Sequence, residues 1–149
     1  MSPNLRLLHH GEIFTVEILR DEDHGPPWQE ADGHGVVSDW TRRAKAPGER
    51  VLVEDRDHRR YYDIRATLAI AVRDGWGVAG GRLDGESARA YAARAVEADY
   101  QYLRGWCQDD WWYVGVVVRL EDQTESLWGI ESSNEAYHEV VAKELANEI

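Results

Sequence analysis

The stretch WWYVGVVVRL, residues 111–120, is rich in aromatic and β-branched side chains and is apolar at successive positions near its centre. Side chains alternate between the two faces of a strand, so this pattern predicts a central strand that is covered on both faces. Trp111 and Trp112 should therefore point to opposite faces, one of them away from the main core. The polar residues 121–125 predict a turn, and residues 127–130 predict the antiparallel partner strand.

The region before this strand predicts a further strand, a hairpin and a helix. Residues 13–19 (IFTVEIL) alternate as a half-buried strand does, and residues 50–54 and 60–62 flank a polar stretch as in a hairpin. Asp63 has the character of an N-cap, and Gly75 supplies a C-terminal stop. The apolar positions of the helix between them are Ile64, Leu68, Ala71 and Val72.

Two longer helices are predicted from apolar positions that repeat every three or four residues. In residues 86–106 these positions are Ala88, Tyr91, Ala95, Ala98, Tyr102 and Trp106. In the last helix, residues 134–148, they are Tyr137, Val141, Leu145 and Ile149, and the spacing of Ser132 and Glu135 suggests a capping box. Trp76, Trp106 and Trp128 also fall at positions that predict burial.

Strands that cluster as hairpins, instead of alternating singly with helices, indicate the α+β class. We expect a single domain over residues 1–149, an antiparallel sheet of hairpins with about three helices packed on it. That sheet should contain residues 13–19, 112–120 and 127–130, with the helices 86–106 and 134–148 against it. Residues 21–48 should form a long structured loop, without a regular element through Pro26 and Pro27, and residues 77–85 a glycine-rich linker.

Composition excludes several classes of protein. A chain of 149 residues with seven Trp and seven Tyr is globular, and its one cysteine excludes a disulfide framework or a thiolate-rich metal site. No apolar run reaches the roughly 18 residues of a membrane helix, and the first residues lack a signal-peptide core. We expect a protein of the cytoplasm that does not bind membranes.

The charge is strongly acidic and uneven. The net charge is −11, with −2 in residues 1–83 and −9 in residues 84–149, whereas residues 42–65 carry +3. An excess of acids can simply maintain solubility, or it can form a face for a basic partner. For the second interpretation the candidate residues are Glu97, Asp99, Asp109, Asp110, Glu121, Asp122, Glu125, Glu131, Glu135 and Glu139.

Other chemistries receive weaker support. The loop DEDHGPPWQEADGHG, residues 21–35, offers His24, Asp32 and His34 as an alternative metal set, but its spacing matches no metal motif, and its glycines suggest turns.

No nucleophile elbow or phosphate loop is present, and Cys107 has the character of a small core residue. We therefore expect no enzyme and no cofactor. The basic hairpin with its tyrosines resembles a nucleic-acid platform, but the net charge opposes phosphate binding.

Three segments together resemble a known group of proteins: GPPWQEADGHGVVSDWTRR (25–43), RRYYDIRATLAIAVRDGW (59–76) and SLWGIES (126–132). They are similar to small acidic proteins encoded by bacteriophages and prophages, for which no activity is settled. The resemblance implies an accessory protein made inside a bacterial host cell. Small acidic phage proteins often disable host nucleic-acid enzymes, and some do so by imitating the charge of DNA.

The favoured hypothesis is therefore an inhibitor that binds a basic, nucleic-acid-handling host protein of a restriction or CRISPR-type defence, with an acidic DNA-mimicking surface as one mode of binding. It should be a monomer or small homo-oligomer and should not itself bind nucleic acid. One alternative is a loop-centred interface through Trp28 and Trp40. Others are a small metal-dependent hydrolase or nuclease that uses the 21–35 loop, and a component of virion assembly.

Overall fold

A computed structural model describes residues 5–149 of the chain. The fold is α+β with antiparallel sheets, as predicted, and it divides into two compact units. The first unit comprises residues 5–24 and 111–149, and the second comprises residues 25–110. The elements are β1 (Leu5–His9), β2 (Glu12–Arg20), α1 (Pro27–Glu30), β3 (Glu49–Asp55), β4 (His58–Asp63), α2 (Ile64–Asp74), α3 (Ala88–Cys107), β5 (Tyr113–Leu120), β6 (Gln123–Glu131) and α4 (Glu135–Glu148).

The first unit is a four-stranded antiparallel sheet in the order β1-β2-β5-β6, with α4 packed against one face. Residues Tyr113–Val118 of β5 are all buried, which confirms the central, two-faced strand that the sequence predicts. The core combines side chains from the sheet with one face of α4, among them Phe14, Val16, Val116, Val118, Val141 and Leu145.

Strand β6 carries a bulge opposite β5, because Val114 pairs with Ile130 whereas Val116 pairs with Leu127. Gly129 has a φ of 77°, which a residue with a side chain rarely adopts, so glycine accommodates the extra residue. The Gly129 N–H is bound by the Asp21 carboxylate at 3.1 Å. The end of β2 is thereby tied to the bulge in β6.

The second unit contains the β3–β4 hairpin, and segment 36–41 lies along the other edge of β4 through pairs at Val37 and Thr41. Helices α2 and α3 pack against each other and against β3. The sequence placed the helix 86–106 on the sheet that contains β2 and β5, but α3 belongs to the core of the second unit. That core includes Leu52, Tyr62, Ala71, Ala92, Val96, Tyr100 and Leu103.

The observed face of α3 corrects the predicted stripe. Ala95 is buried as predicted, but the other buried side chains are Ala92, Val96, Tyr100 and Leu103, about one position away from the predicted set. On α2, Ala71 is buried, but Thr67 replaces Val72 in the buried face. The alanines and tyrosines of α3 allow more than one helical face to look apolar, so packing decides its orientation.

The caps of α2 agree with those predicted from the sequence, whereas the N-cap of α4 does not. The Asp63 carboxylate accepts from Ala66 N–H at 2.8 Å, and Trp76 N–H donates to the Ala71 carbonyl beyond Gly75, as predicted. The prediction of a capping box at the last helix is wrong. Asn134 is the N-cap of α4, whereas Ser132 Oγ accepts a hydrogen bond from Trp112 N–H. Pro27 begins the one-turn helix α1, where the missing proline N–H has no cost.

Replacing Asp63 by alanine should lower the free energy of unfolding by about 1 kcal/mol, since the first turn of α2 loses its side-chain cap. Urea denaturation measures this change. Asp57→Ala is the matched control, because Asp57 only pairs with Arg42 and His58 at the exposed surface, and it should change stability by less than about 0.5 kcal/mol. Equal losses in both variants would contradict the capping role.

Candidate functional site

The two units differ sharply in how their charges are compensated. The first unit has thirteen Asp and Glu residues but only four Lys and Arg residues, whereas the second has fifteen and thirteen. Even if each basic side chain of the first unit paired with a different acid, nine acids would remain without a lysine or arginine of that unit. The first unit is therefore the acidic part of the molecule, with a formal charge of −9 against −2 in the second unit.

Six of the ten predicted acids lie in the first unit. Glu121 and Asp122 are exposed in the tight turn between β5 and β6, where Glu121 has a φ of 58°. The exposed Glu139 lies 3.4 Å from Lys143 one turn further along α4. The remaining three are the partly exposed Glu125 and Glu131 of β6 and the exposed Glu135 at the start of α4.

The other four predicted acids lie in the second unit, so the ten do not form one surface of a single unit. Glu97 is exposed, but it bonds to Arg50 at 2.5 Å and to Gln101 at 3.0 Å. Asp109 and Asp110 are exposed just after α3. Asp99, the fourth, is a structural residue.

The prediction of Asp99 as an exposed interface residue is wrong, because its side chain is only 9% exposed. Its carboxylate accepts from Tyr62 Oη at 2.8 Å, from Gly35 N–H at 2.8 Å and binds His34 Nδ1 at 2.7 Å. Burial, followed by the neighbouring Asp99 charge, raises the pKa of Tyr62, which keeps this hydroxyl a donor. Asp99 therefore holds the loop around residue 35 against α3.

Beyond the predicted acids, the first unit also exposes Glu12, Glu22, Asp23, Glu144 and Glu148, and the last two lie on α4. At 100° per residue, Glu135 and Glu139 lie on one side of the buried stripe of α4, and Glu144 and Glu148 lie on the other. The helical periodicity of residues 134–148 contains this signal. Helix α4 therefore presents acids along both of its sides.

The sequence pattern predicts burial of Trp128, but the residue is 46% exposed. Its ring lies directly over Gly115 of β5, in the space that a Cβ at position 115 would need, and Nε1 donates to Ser126 Oγ at 3.2 Å. The bulge at Gly129 shifts the register of β6 here, which the sequence alone did not reveal. Tyr137, also predicted to be buried, is 44% exposed on α4.

Of the two tryptophans predicted for the alternative loop interface, one packs against the core and the other is exposed. Trp28 packs against the core of the second unit and meets Trp106 edge-on at 5.6 Å between ring centroids. The Arg60 guanidinium lies 5.5 Å from the Trp28 ring and 5.3 Å from the Trp40 ring. Of the two predicted tryptophans, Trp40 alone is largely exposed, and it is stacked on this arginine.

The alternative metal set is not assembled. His24 stacks on Tyr113 in the first unit at 3.7 Å, whereas His34 binds Asp99 in the second unit, and Asp32 is exposed. Within residues 5–149, no group of three or more His, Cys, Asp and Glu side chains is arranged to hold a metal ion.

Most arginines of the basic segment 42–65 are compensated within the second unit. Arg43 forms two bonds of 2.7 Å with Glu49, Arg59 lies 3.1 Å from Glu54, and Arg42 lies 3.1 Å from Asp57. The bond from Arg43 lowers the pKa of the Glu49 carboxyl to about 2, and Arg94 lowers that of Glu86 to about 2 in the same way.

No protein-family model, curated protein or solved structure matches this chain. Over residues 5–149, none of the helices has the length and apolar character required to cross a membrane.

Replacing Asp99 by alanine should lower the free energy of unfolding by roughly 3 kcal/mol, since the Tyr62 hydroxyl, the Gly35 N–H and the His34 ring lose the charged group that they share. Urea denaturation measures the loss, and hydrogen exchange at Gly35 N–H should accelerate. Glu97→Ala, two residues earlier on the same helix, breaks an exposed ion pair and should cost at most about 1 kcal/mol. Equal effects of the two substitutions would argue against a structural role for Asp99.

Acid should weaken the second unit through Glu49 and Glu86. Their native pKa values of about 2 lie below the ordinary 4.5, so their stabilisation is present above pH 4.5 and is lost as the pH falls towards 2. The double variant Glu49→Gln/Glu86→Gln should melt below the wild type near neutral pH, and this difference should narrow between pH 4.5 and 2. Asp84→Asn is the control, and a constant difference at all pH values would contradict the assignment.

Proposed function

We propose that the chain is a phage or prophage accessory protein that binds and inhibits a basic, nucleic-acid-handling host protein through the acidic surface of its first unit. The observation that carries this proposal is the minimum of nine acids in that unit without a lysine or arginine of the same unit. Proteins that bind DNA hold its phosphates with Lys and Arg, so such a surface would compete for the same side chains. The resemblance to small acidic phage proteins supports a target in restriction or CRISPR-type defence.

The residues for this contact are chosen by unit and by burial. Asp99 is engaged in the interior, and Glu97, Asp109 and Asp110 lie with it in the second unit. We take as the candidate contact set the acids of the first unit that follow residue 111: Glu121, Asp122, Glu125, Glu131, Glu135, Glu139, Glu144 and Glu148. We define these eight residues as the acidic surface.

The spacing of the acids on α4 favours a contact made by many acids over one made by a few. Four of the acids lie on α4 between residues 135 and 148, about 20 Å of helix at 1.5 Å per residue. This is about one charge per 6.5 Å, whereas each strand of duplex DNA carries one per 3.4 Å. Helix α4 alone therefore imitates DNA weakly, and the acids of β6 and its turn would have to contribute.

Exposed apolar residues of the same unit could supply the nonpolar part of an interface. Leu127, Trp128, Tyr137 and Val140 are each more than 40% exposed. Aromatic side chains surrounded by polar residues are common among the energetically dominant contacts of protein interfaces. Acids would then mainly accelerate association and select the partner.

The test compares two variants with the same net charge. The first changes Glu121, Asp122, Glu135 and Glu139 to lysine, and the control changes the exposed second-unit acids Asp32, Asp39, Asp55 and Asp84 to lysine. Capture from a bacterial lysate should retain nucleic-acid-binding proteins on the wild type and the control, but at least tenfold less on the first variant. Raising the salt to about 0.5 M, or adding duplex DNA, should release them, since screening acts over roughly 10 Å at 0.1 M.

Two outcomes would contradict the proposal. Equal loss in both variants would show a nonspecific response to net charge. Capture that survives salt and the first variant, but is lost in Trp40→Ala, would transfer the interface to the loop of the second unit. Each variant is first checked by circular dichroism, so that unfolding is not mistaken for lost binding.

A further inference from the structure

A cleft of about 840 Å³ opens in the second unit between strand β3 and the C-terminal half of α3. All residues from Glu49 to Glu54 line one side, and Tyr100, Arg104 and Cys107 line the other. Clefts that bind small molecules typically enclose 300–1,000 Å³, so the size fits a small ligand. None of the predicted site residues lines this cleft.

A single buried tyrosine orients two arginines at the cleft. The Arg50 guanidinium lies over the Tyr100 ring, 3.9 Å from its centroid, and Arg104 donates to Tyr100 Oη at 3.2 Å. Tyr100 Oη in turn donates to the Val51 carbonyl at 2.5 Å, and its side chain is almost completely buried. Both guanidinium groups are therefore held in place before any ligand arrives, which reduces the entropy that binding would cost.

Counting the charges shows that the cleft is positive. Its lining contributes Lys45, Arg50 and Arg104 and the acids Glu49 and Glu54. The acids are engaged by Arg43 and Arg59, and Arg50 is engaged by Glu97. These groups together are five cations and three anions, an excess of two. Within residues 5–149, neither Lys45 nor Arg104 forms an ion pair with a carboxylate.

We infer that this cleft is a binding site for a small molecule that carries a phosphate or diphosphate group, held by Lys45, Arg50 and Arg104. Arg50 and Arg104 both contact Tyr100 and repel each other, and an anion bound in the cleft that Lys45 also lines would relieve that repulsion. Guanidinium groups match the oxygens of a phosphate with two parallel bonds, and lysine adds a point charge. This site uses residues of the second unit and is independent of the acidic surface.

Cys107 provides a natural reporter of occupancy. It is the chain's one cysteine, is partly exposed and lines the cleft. Burial raises the pKa of its thiol to about 11, so it is a neutral, slowly reacting group. Its alkylation by neutral iodoacetamide at about pH 8.5 can be followed by mass spectrometry.

The experiment measures the alkylation rate of Cys107 in the full chain with and without 1 mM pyrophosphate, and separately with ADP, adenosine and citrate. Pyrophosphate and ADP should each slow the reaction at least about threefold, whereas adenosine should not. Lys45→Gln and Arg104→Gln should abolish the protection. Arg89→Gln, an exposed arginine on the same helix outside the cleft, should keep it.

Lys45 is exposed, so Lys45→Gln should keep the fold even if Arg104→Gln disturbs Tyr100, and circular dichroism checks this. Absence of protection in the wild type, or protection that survives Lys45→Gln, would overturn the proposal. Equal protection by citrate and pyrophosphate would also overturn it, since the site would then select charge and not phosphate. A negative result in this alkylation experiment would not affect the lysate-capture test of the acidic surface, because the two experiments change different residues.

Discussion

One largely buried carboxylate, that of Asp99, joins three parts of the second unit. It binds Tyr62 of β4, Gly35 and His34 of the long loop, and it projects from α3. A buried charge with several donors is stabilising, whereas the same charge without them would be expensive. Asp99 thus couples strand, loop and helix. The long loop is held in place from α3 as well as through its backbone pairs with β4.

The two units differ in how far their acidic side chains are paired with basic ones. In the second unit, nearly equal numbers of acids and bases allow ion pairs such as Arg43–Glu49 and Arg94–Glu86. The first unit lacks the cations to do the same, and its acids gain stability mainly from water. Surface acids without partners contribute little to folding, so their concentration in one unit has more consequence for solubility and association than for the fold.

The sequence predicted strands β2 to β5, the later part of β6, the class and the ends of α2, because hydrophobic alternation, Asp63 and Gly75 act locally. It failed where the outcome depends on tertiary contacts. The buried face of α3 shifted because several of its faces are nearly equally apolar, and Trp128 became exposed where the Gly129 bulge changes the register of β6. Composition indicated an acidic stretch over residues 84–149, which coincides only in part with the first unit, and it did not reveal that Asp99 is engaged in the interior.

Net charge also hides local sites of opposite sign. A ligand in a cleft responds mainly to charges within a Debye length, about 10 Å at 0.1 M salt, and not to the sum over the chain. A net charge of −11 therefore opposes a broad nucleic-acid surface, yet it is compatible with a cleft where five cations meet three anions. Lys45, Arg50 and Arg104 are dispersed over sixty residues of sequence, so only the packing of α3 against β3 brings them together.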